Sequence, residues 1–291
     1  MRHGPPRQDA AGRLGETVNA LHRPEGQRLC IIGSGAISER VTSLLAARSD
    51  AGLTLVGIAT QPGVRRCGWW PEECRQITNP DDLASLSPDI IVEAAGRDAV
   101  REWGEAALKA ARMLVVCSVS ALTHDALRDR LTAIAAAAGS QLVIGHGALG
   151  GIQAISAAAL RPLKQVTHVI RKPPLAWRGT VAEGLIDLSG LREAVTFFRG
   201  TAREAASTYP ANANAVATTA LASIGLDRTE VALVADPNVD KNVHELFATG
   251  DFGSLSLRLA NEPMPSNPKT SDMTALTITH LLLGRTAALV V

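Results

Sequence analysis

Two asparagines one residue apart, Asn212 and Asn214, head a run of small apolar residues in "YPANANAVATTALASIGL" (209–226), and His244 follows in "NVHELFATGDFG" (242–253). A side-chain amide offers a donor and an acceptor side by side, which suits the carboxamide or ribose of a nicotinamide nucleotide. Asparagine also caps helices by accepting from free N–H groups. The economical division makes Asn212 the cap and Asn214 the ligand. Imidazole titrates near neutrality and can take up and return a proton. In a strand that alternates, Val243 is expected to face the core and His244 to point elsewhere. A lone strand histidine is more often structural than catalytic, and His146 and His168 are rivals of smaller expected effect.

The second chemical signal is "GSGAIS" (33–38), which follows a short apolar run and opens a helical pattern. Gly33 permits a tight turn, Gly35 lets a pyrophosphate approach the backbone, and the helix start offers free N–H groups and a positive dipole end. Ala36 and Ile37 at that helix start join the two glycines as cofactor-binding candidates. Ser38 stands where a third glycine or alanine is usual. The motif alone is weak evidence, but strand before and helix after are the required context.

Cofactor choice is read at the end of the second strand, where an acid normally binds the adenosine ribose hydroxyls of NAD. This chain has "GIATQPGVRR" (57–66), with Thr60 and Gln61 and no acid, then Arg65 and Arg66. Guanidinium groups can hold the 2′-phosphate of NADP, which a carboxylate would repel. The same arginines could simply be a solvated loop, so both NAD and NADP stay open as cofactor.

Stepping from these residues to the elements that carry them, apolar runs at 29–33, 53–60, 89–96, 113–119 and 141–147 alternate with amphipathic helical patterns. That is the signature of a parallel sheet covered on both faces. After residue 148 the strands at 165–174, 231–237, 242–250 and 253–263 are joined partly by short turns, with helices near 150–161, 201–208 and 212–225. The expected fold is therefore α/β: a Rossmann-type parallel-sheet domain over 27–147 and a second, α+β catalytic domain with a mixed or antiparallel sheet over 148–266. Residues 1–26 read as a polar tail, and 267–291 as a terminal helix, capped by Thr270 or Ser271, that packs back on the first domain.

A chain of 291 residues can bury two cores, and 46% hydrophobic with 20% charged residues is a globular composition. A net charge of +1 and only 3% aromatic residues give no argument for nucleic acid or an anionic membrane. No apolar run is long enough to span a bilayer. The cysteines Cys30, Cys67, Cys74 and Cys117 form neither a disulfide framework nor a metal knuckle, no constellation points to a metal, and a cytoplasmic protein is expected.

Taken together, "GSGAIS", "SVSAL" (118–122), "GHGALGGIQAI" (145–155), "IRKPP" (170–174), "YPANANAVATTALA" (209–222), "ADPNVDKNVHELFATGDFG" (235–253) and "NPKTSDMTAL" (267–276) resemble the L-aspartate dehydrogenase family, in the family's order from about residue 29 to 280. The resemblance implies a Rossmann domain plus an α/β catalytic domain, a homodimer, and NAD(P)-dependent oxidative deamination of L-aspartate to oxaloacetate and ammonia by way of iminoaspartate. It implies that His244 is the active-site histidine, and that Ala148, Asn214 and Ala121 lie on the cofactor. Ser120 and His146 depart from the family pattern with larger side chains, which are expected to narrow the nicotinamide side of the cleft. A substrate with two carboxylates calls for cations, and Arg171, Lys172 and Lys269 are the candidates; Asp236 is expected to orient a strand end. Two other readings stay open: a related reductase or homoserine dehydrogenase of similar build, and a nucleotide-binding regulator without turnover.

Overall fold

The computed structural model describes residues 26–290, apart from the side chains of Ala211, Pro268 and Lys269. The tail expected over 1–26 thus falls, except for Gly26, outside the described residues.

The first half runs β1 (Gln27–Ile32), α1 (Ala36–Ala46), β2 (Leu53–Ala59), β3 (Arg75–Ile77), β4 (Ile90–Glu93), α2 (Arg97–Ala110), β5 (Met113–Val116), α3 (Asp125–Ala138) and β6 (Gln141–Ile144). The strands form one parallel sheet in the order β3-β2-β1-β4-β5-β6. Its strands are apolar on both faces because both are covered. Cys30, Ile32, Ile91, Leu114 and Val116 pack under α2 and α3. Leu29, Ile31, Val92, Met113 and Val115 pack on the other side.

That other side has only α1 from the first half. Its second cover is the C-terminal α7 (Asp272–Leu283), whose Ala275, Ile278 and Leu282 are fully buried against it. Ser271 caps α7 by accepting from Met273 N at 3.2 Å. Arg40 of α1 meets Asp272 bidentately at 2.9 and 3.0 Å, which fixes the two helices side by side.

The second half runs α4 (Ile152–Ala158), β7 (Leu163–Lys172), β8 (Val195–Thr201), α5 (Ala202–Thr208), α6 (Ala213–Leu221), β9 (Glu230–Ala235), β10 (Asn242–Gly250) and β11 (Gly253–Asn261). These strands form a mixed sheet in the order β11-β10-β7-β9-β8, in which β7 and β9 are parallel and the other pairs antiparallel. A short hairpin, Pro263–Met264 with Asn267–Ser271, leads into α7. The architecture is the α/β fold expected, with a mixed second sheet. The strand β8 was not anticipated, although "VTFFRGT" is rich in β-branched and aromatic residues.

Helices α5 and α6 cover one face of this sheet, where Ile170, Val231 and Leu233 meet Ala205, Val216 and Ala220. The small residues of α6 let it lie close on the strands. Asn212 does not cap it: the residue sits at the N-cap with helical φ −111° and ψ −4°, and its side chain makes no capping bond. The 3-10 turn Pro210–Asn212 runs straight into α6, so the extended backbone that a capping side chain needs is absent.

Candidate active site

The carboxyl ends of β1, β2 and β4 open onto a cavity of about 390 Å3, lined among others by Gly33, Gly35, Thr60, Gln61, Gly96 and Arg97. Gly33 has φ +109°, and a Cβ there would stand 2.7 Å from the Ala94 carbonyl oxygen, so only glycine fits. A Cβ at Gly35 or Gly96 would meet nothing within 4 Å. Open space over Gly35, at the N-terminus of α1 with its unpaired first-turn N–H groups, is the cradle a pyrophosphate requires. Ala36 and Ile37, in the first turn of α1, pack their side chains on the core beneath. The residues present therefore fit a dinucleotide.

Glu93, at the end of β4, was not among the expected site residues. It is 1% exposed, and its carboxylate accepts from Ala95 N, Gly96 N and Ser118 Oγ, each at 2.8 Å, and from Ser118 N at 3.0 Å. One buried acid thus ties together the loops after β4 and β5. An acid closing a central strand ("DIIVEAAG") was the available signal.

The two arginines behave differently. Arg66 donates to the carbonyls of Cys74 at 2.7 Å, Glu72 at 2.9 Å and Pro71, and lies 5.7 Å from the Trp70 ring centre. Its guanidinium is engaged in holding the 71–74 loop. Arg65 is exposed and its guanidinium has no ion pair or hydrogen bond among the described residues. Thr60 is buried and accepts from Gln76 Nε2 at 2.9 Å.

The two domains meet at the 3-10 turn Val119–Thr123. Ser120 N donates to Asn214 Oδ1 across the boundary at 3.0 Å, and Arg203 of α5 donates to the Thr123 carbonyl at 2.9 Å. Ser120 Oγ accepts from Arg97 Nε at 2.9 Å. Asn214 is exposed, so its Nδ2 is open to a ligand. Ala121 is 1% exposed and its methyl sits in the core under α2 and α3. Ala148 is held by its carbonyl, which accepts from Asn261 Nδ2 at 2.9 Å. His146 lines a largely apolar cavity of about 700 Å3 beside α7, together with His280. Burial, then the neighbouring His280, lowers its pKa.

On the second sheet, His244 stands opposite Ile170 in the β10–β7 register, so it shares a face with His168 and Lys172. That face is the one under α6, and His244 is 7% exposed, buried along with Val243 at 1%. Val243 and His244 take opposite faces, as alternation requires, and both are buried because each face of β10 has neighbours here. His244 Nδ1 lies 3.0 Å from His168 Nε2, and His168 Nδ1 lies 3.0 Å from Thr219 Oγ1 of α6. His168, expected to matter little, is therefore the direct partner of His244. No described residue bonds to His244 Nε2.

Electrostatics on this face keep the imidazoles neutral. Burial and then the positive charge of Lys172 lower the His244 pKa to about 3. Burial and then His244 push His168 well below its usual value. Lys172 is partly buried, stands 5.0 Å from the Trp177 ring centre, and burial brings its pKa down to about 8.

Arg171 requires a correction as a candidate for the substrate carboxylates. Alternation puts it on the opposite sheet face, where it pairs with Asp236 at 3.0 Å and Glu245 at 3.4 Å. Asp236 also accepts from Asn238 N at 2.8 Å, so it fixes the strand end. Lys269 lies in the hairpin before α7, and its side chain is outside the described residues.

A family model described as "Aspartate dehydrogenase, C-terminal" matches residues 153–285, and one described as "Homoserine dehydrogenase, NAD binding domain" matches residues 33–144. The chain is 44% identical to an L-aspartate dehydrogenase of Brucella anthropi over 265 residues, covering 91% of this chain and 98% of the relative. It is 39% identical to one of a Polaromonas species, covering 91% and 99%. Among solved structures, aspartate dehydrogenase from Thermotoga maritima is similar with a TM-score of 0.72 at 22% identity, covering 91% of this chain and 99% of that one. An archaeal homoserine dehydrogenase shares the fold more loosely, with a TM-score of 0.57 at 12% identity and coverage of 88% and 98%.

Proposed function

The chain belongs to the L-aspartate dehydrogenase family, and on that premise we propose that it catalyses the reversible NAD(P)-dependent oxidative deamination of L-aspartate to oxaloacetate and ammonia. The observation that carries the reading is a buried His244 whose Nε2 has no partner among the described residues, on one sheet face with Lys172. The match of the catalytic half to the aspartate family model, rather than to the homoserine model that matches the nucleotide half, favours aspartate over homoserine.

Gly33, Gly35 and the backbone of Ala36 and Ile37 would hold the pyrophosphate, Asn214 and the segment around Ala148 the nicotinamide end, and Arg65 a 2′-phosphate. Bound NAD(P)+ supplies the acceptor for the hydride leaving Cα. Lys172, still largely protonated at neutral pH, binds a substrate carboxylate, with Lys269 a second candidate. His244 Nε2 takes a proton from the water that adds to iminoaspartate and returns it to the nitrogen; as the C–N bond breaks and ammonia leaves, Nε2 takes the remaining hydroxyl proton and passes it to solvent. Iminoaspartate that leaves before water adds would instead serve NAD biosynthesis.

A homodimer is part of this reading, since Phe247, on the sheet face away from α6, is a large apolar side chain 43% exposed; sedimentation velocity tests it. Four free thiols fit a reducing compartment, the cytoplasm, and no described helix is long and apolar enough to cross a membrane. The deciding assay is reductive amination of oxaloacetate with ammonia, run with NADH and with NADPH, beside oxidation of L-aspartate and of homoserine. Turnover of homoserine but not aspartate, or cofactor binding with no turnover of either, overturns the reading.

A further inference from the structure

Behind His244 the hydrogen-bond chain continues inward to a defined end. His244 Nδ1 meets His168 Nε2 at 3.0 Å, His168 Nδ1 meets Thr219 Oγ1 at 3.0 Å, and Thr219 Oγ1 lies 3.3 Å from the carbonyl oxygen of Ala215, one turn earlier in α6. His168 and Thr219 are both 0% exposed, so no solvent completes the set.

A hydroxyl has one proton, and a carbonyl can only accept. With its proton on Ala215 O, in the back-bonding common for a helical threonine, Thr219 offers His168 only a lone pair. His168 must then carry its proton on Nδ1. In a neutral ring this leaves Nε2 as an acceptor, and the only group before it is the Nδ1–H of His244. A neutral His244 protonated at Nδ1 has its lone pair at Nε2, the nitrogen that no described residue touches. Reversing every bond would withdraw the proton from Ala215 O and leave His244 carrying Nε2–H, useless as a base.

We propose that His168 is a positioning residue, which through Thr219 holds His244 in the Nδ1–H tautomer and keeps Nε2 as the basic lone pair. The proposal rests on the reading of His244 as the acid–base group. Once His244 Nε2 gains a proton, Nδ1–H still donates to His168, so the ring neither turns nor needs a second proton transfer. His168 performs by neutral acceptance the orienting job that a carboxylate performs in hydrolase triads. A carboxylate would raise the basicity of His244, whereas a neutral imidazole orients it without doing so.

The test uses the full chain labelled with 15N-histidine, with the His244 signals assigned by their loss in His244→Gln. Nitrogen NMR of the imidazoles is expected to show His244 protonated at Nδ1 and bare at Nε2. Thr219→Val keeps the side-chain shape and removes the acceptor. It should mix the two tautomers and lower kcat roughly 10- to 100-fold, a part of the ~10²–10⁴ of acid–base catalysis, with the KM for cofactor near wild type. Thr219→Ser should restore both tautomer and rate. A wild-type His244 bearing its proton on Nε2, or a Thr219→Val enzyme with unaltered tautomer and kcat, overturns the proposal. If Thr219→Val does not fold, the wild-type spectrum decides alone. Normal aspartate turnover in His244→Ala would instead refute the role of His244, whatever the spectrum shows.

Discussion

Asn214 of the second domain accepts a hydrogen bond from the backbone N–H of Ser120 in the first, at 3.0 Å. The amide oxygen is thus spent on the contact between domains, while the residue itself is exposed. Asn214→Ala should raise the apparent KM for cofactor ~3- to 10-fold, the worth of one net hydrogen bond of about 0.5–1.5 kcal/mol, and change the KM for aspartate less. Steady-state kinetics with each substrate varied in turn measures this. A large fall in Tm with unchanged cofactor affinity would mean that the residue only holds the domains together.

The arginines after β2 should separate. Arg65→Ala is expected to weaken NADP(H) and leave NAD(H) alone, because its guanidinium has no other described partner. Arg66→Ala removes bonds to the carbonyls of Pro71, Glu72 and Cys74, so it should loosen the loop and weaken both cofactors alike. Fluorescence titration with NADH and NADPH distinguishes them; an equal effect of Arg65→Ala on the two would remove Arg65 as a phosphate ligand.

Glu93 should tolerate no amide. Its carboxylate accepts four bonds, from Ala95, Gly96 and both groups of Ser118. In Glu93→Gln one oxygen becomes an NH2 facing donors, leaving buried groups unsatisfied at about 1–3 kcal/mol each. The Tm should fall, and cofactor affinity with it, since the loop after β4 that Glu93 fixes lines the nucleotide cavity. A Tm equal to wild type would show that the loops are held without it.

Acid should weaken the fold through the histidine pair. The folded pKa of His244, about 3, lies below the 6.5 of a free imidazole, with Lys172 and His168 its charged and titratable neighbours. Between those values the unfolded chain binds more protons, so this contribution to stability is complete above pH 6.5 and falls as pH drops toward 3. Urea midpoints measured from pH 7.5 to 5 should decline, and less steeply in His168→Phe and His244→Gln. Parallel declines in all three proteins would place the acid sensitivity elsewhere.

The nucleotide half was legible because its signals are local: an apolar strand, two glycines at fixed offsets and a helix start, all within "LCIIGSGAIS". So was the strand β10 carrying His244. What the sequence hides is which face a side chain takes and what crosses to it. Arg171 and Lys172 are neighbours in the chain and equal as cations, yet alternation sends one to Asp236 and Glu245 and the other to the face of His244. His168 and His244 are 76 residues apart, and only the antiparallel β7–β10 register makes them partners. Arg66 looks like a phosphate ligand until the 71–74 loop folds over it.

The proposed mechanism stands on His244. Replacement by Ala would strand His168 Nε2 without a donor in a buried site, so lost stability and lost catalysis would mix. His244→Gln is the cleaner variant, because an amide can still donate to His168 but cannot exchange a proton near neutral pH. Turnover of aspartate should fall by ~10²–10⁴, the usual share of general acid–base catalysis, with NAD(P)H affinity near wild type. His146→Ala should leave turnover within a few-fold, since His146 lines the cavity beside α7 with His280 and shares no wall with Gly33 or Gly35. Measuring kcat for both variants decides between them. Near-normal turnover in His244→Gln ends the assignment, and a large loss in His146→Ala moves the proton-transfer role to the loop after β6.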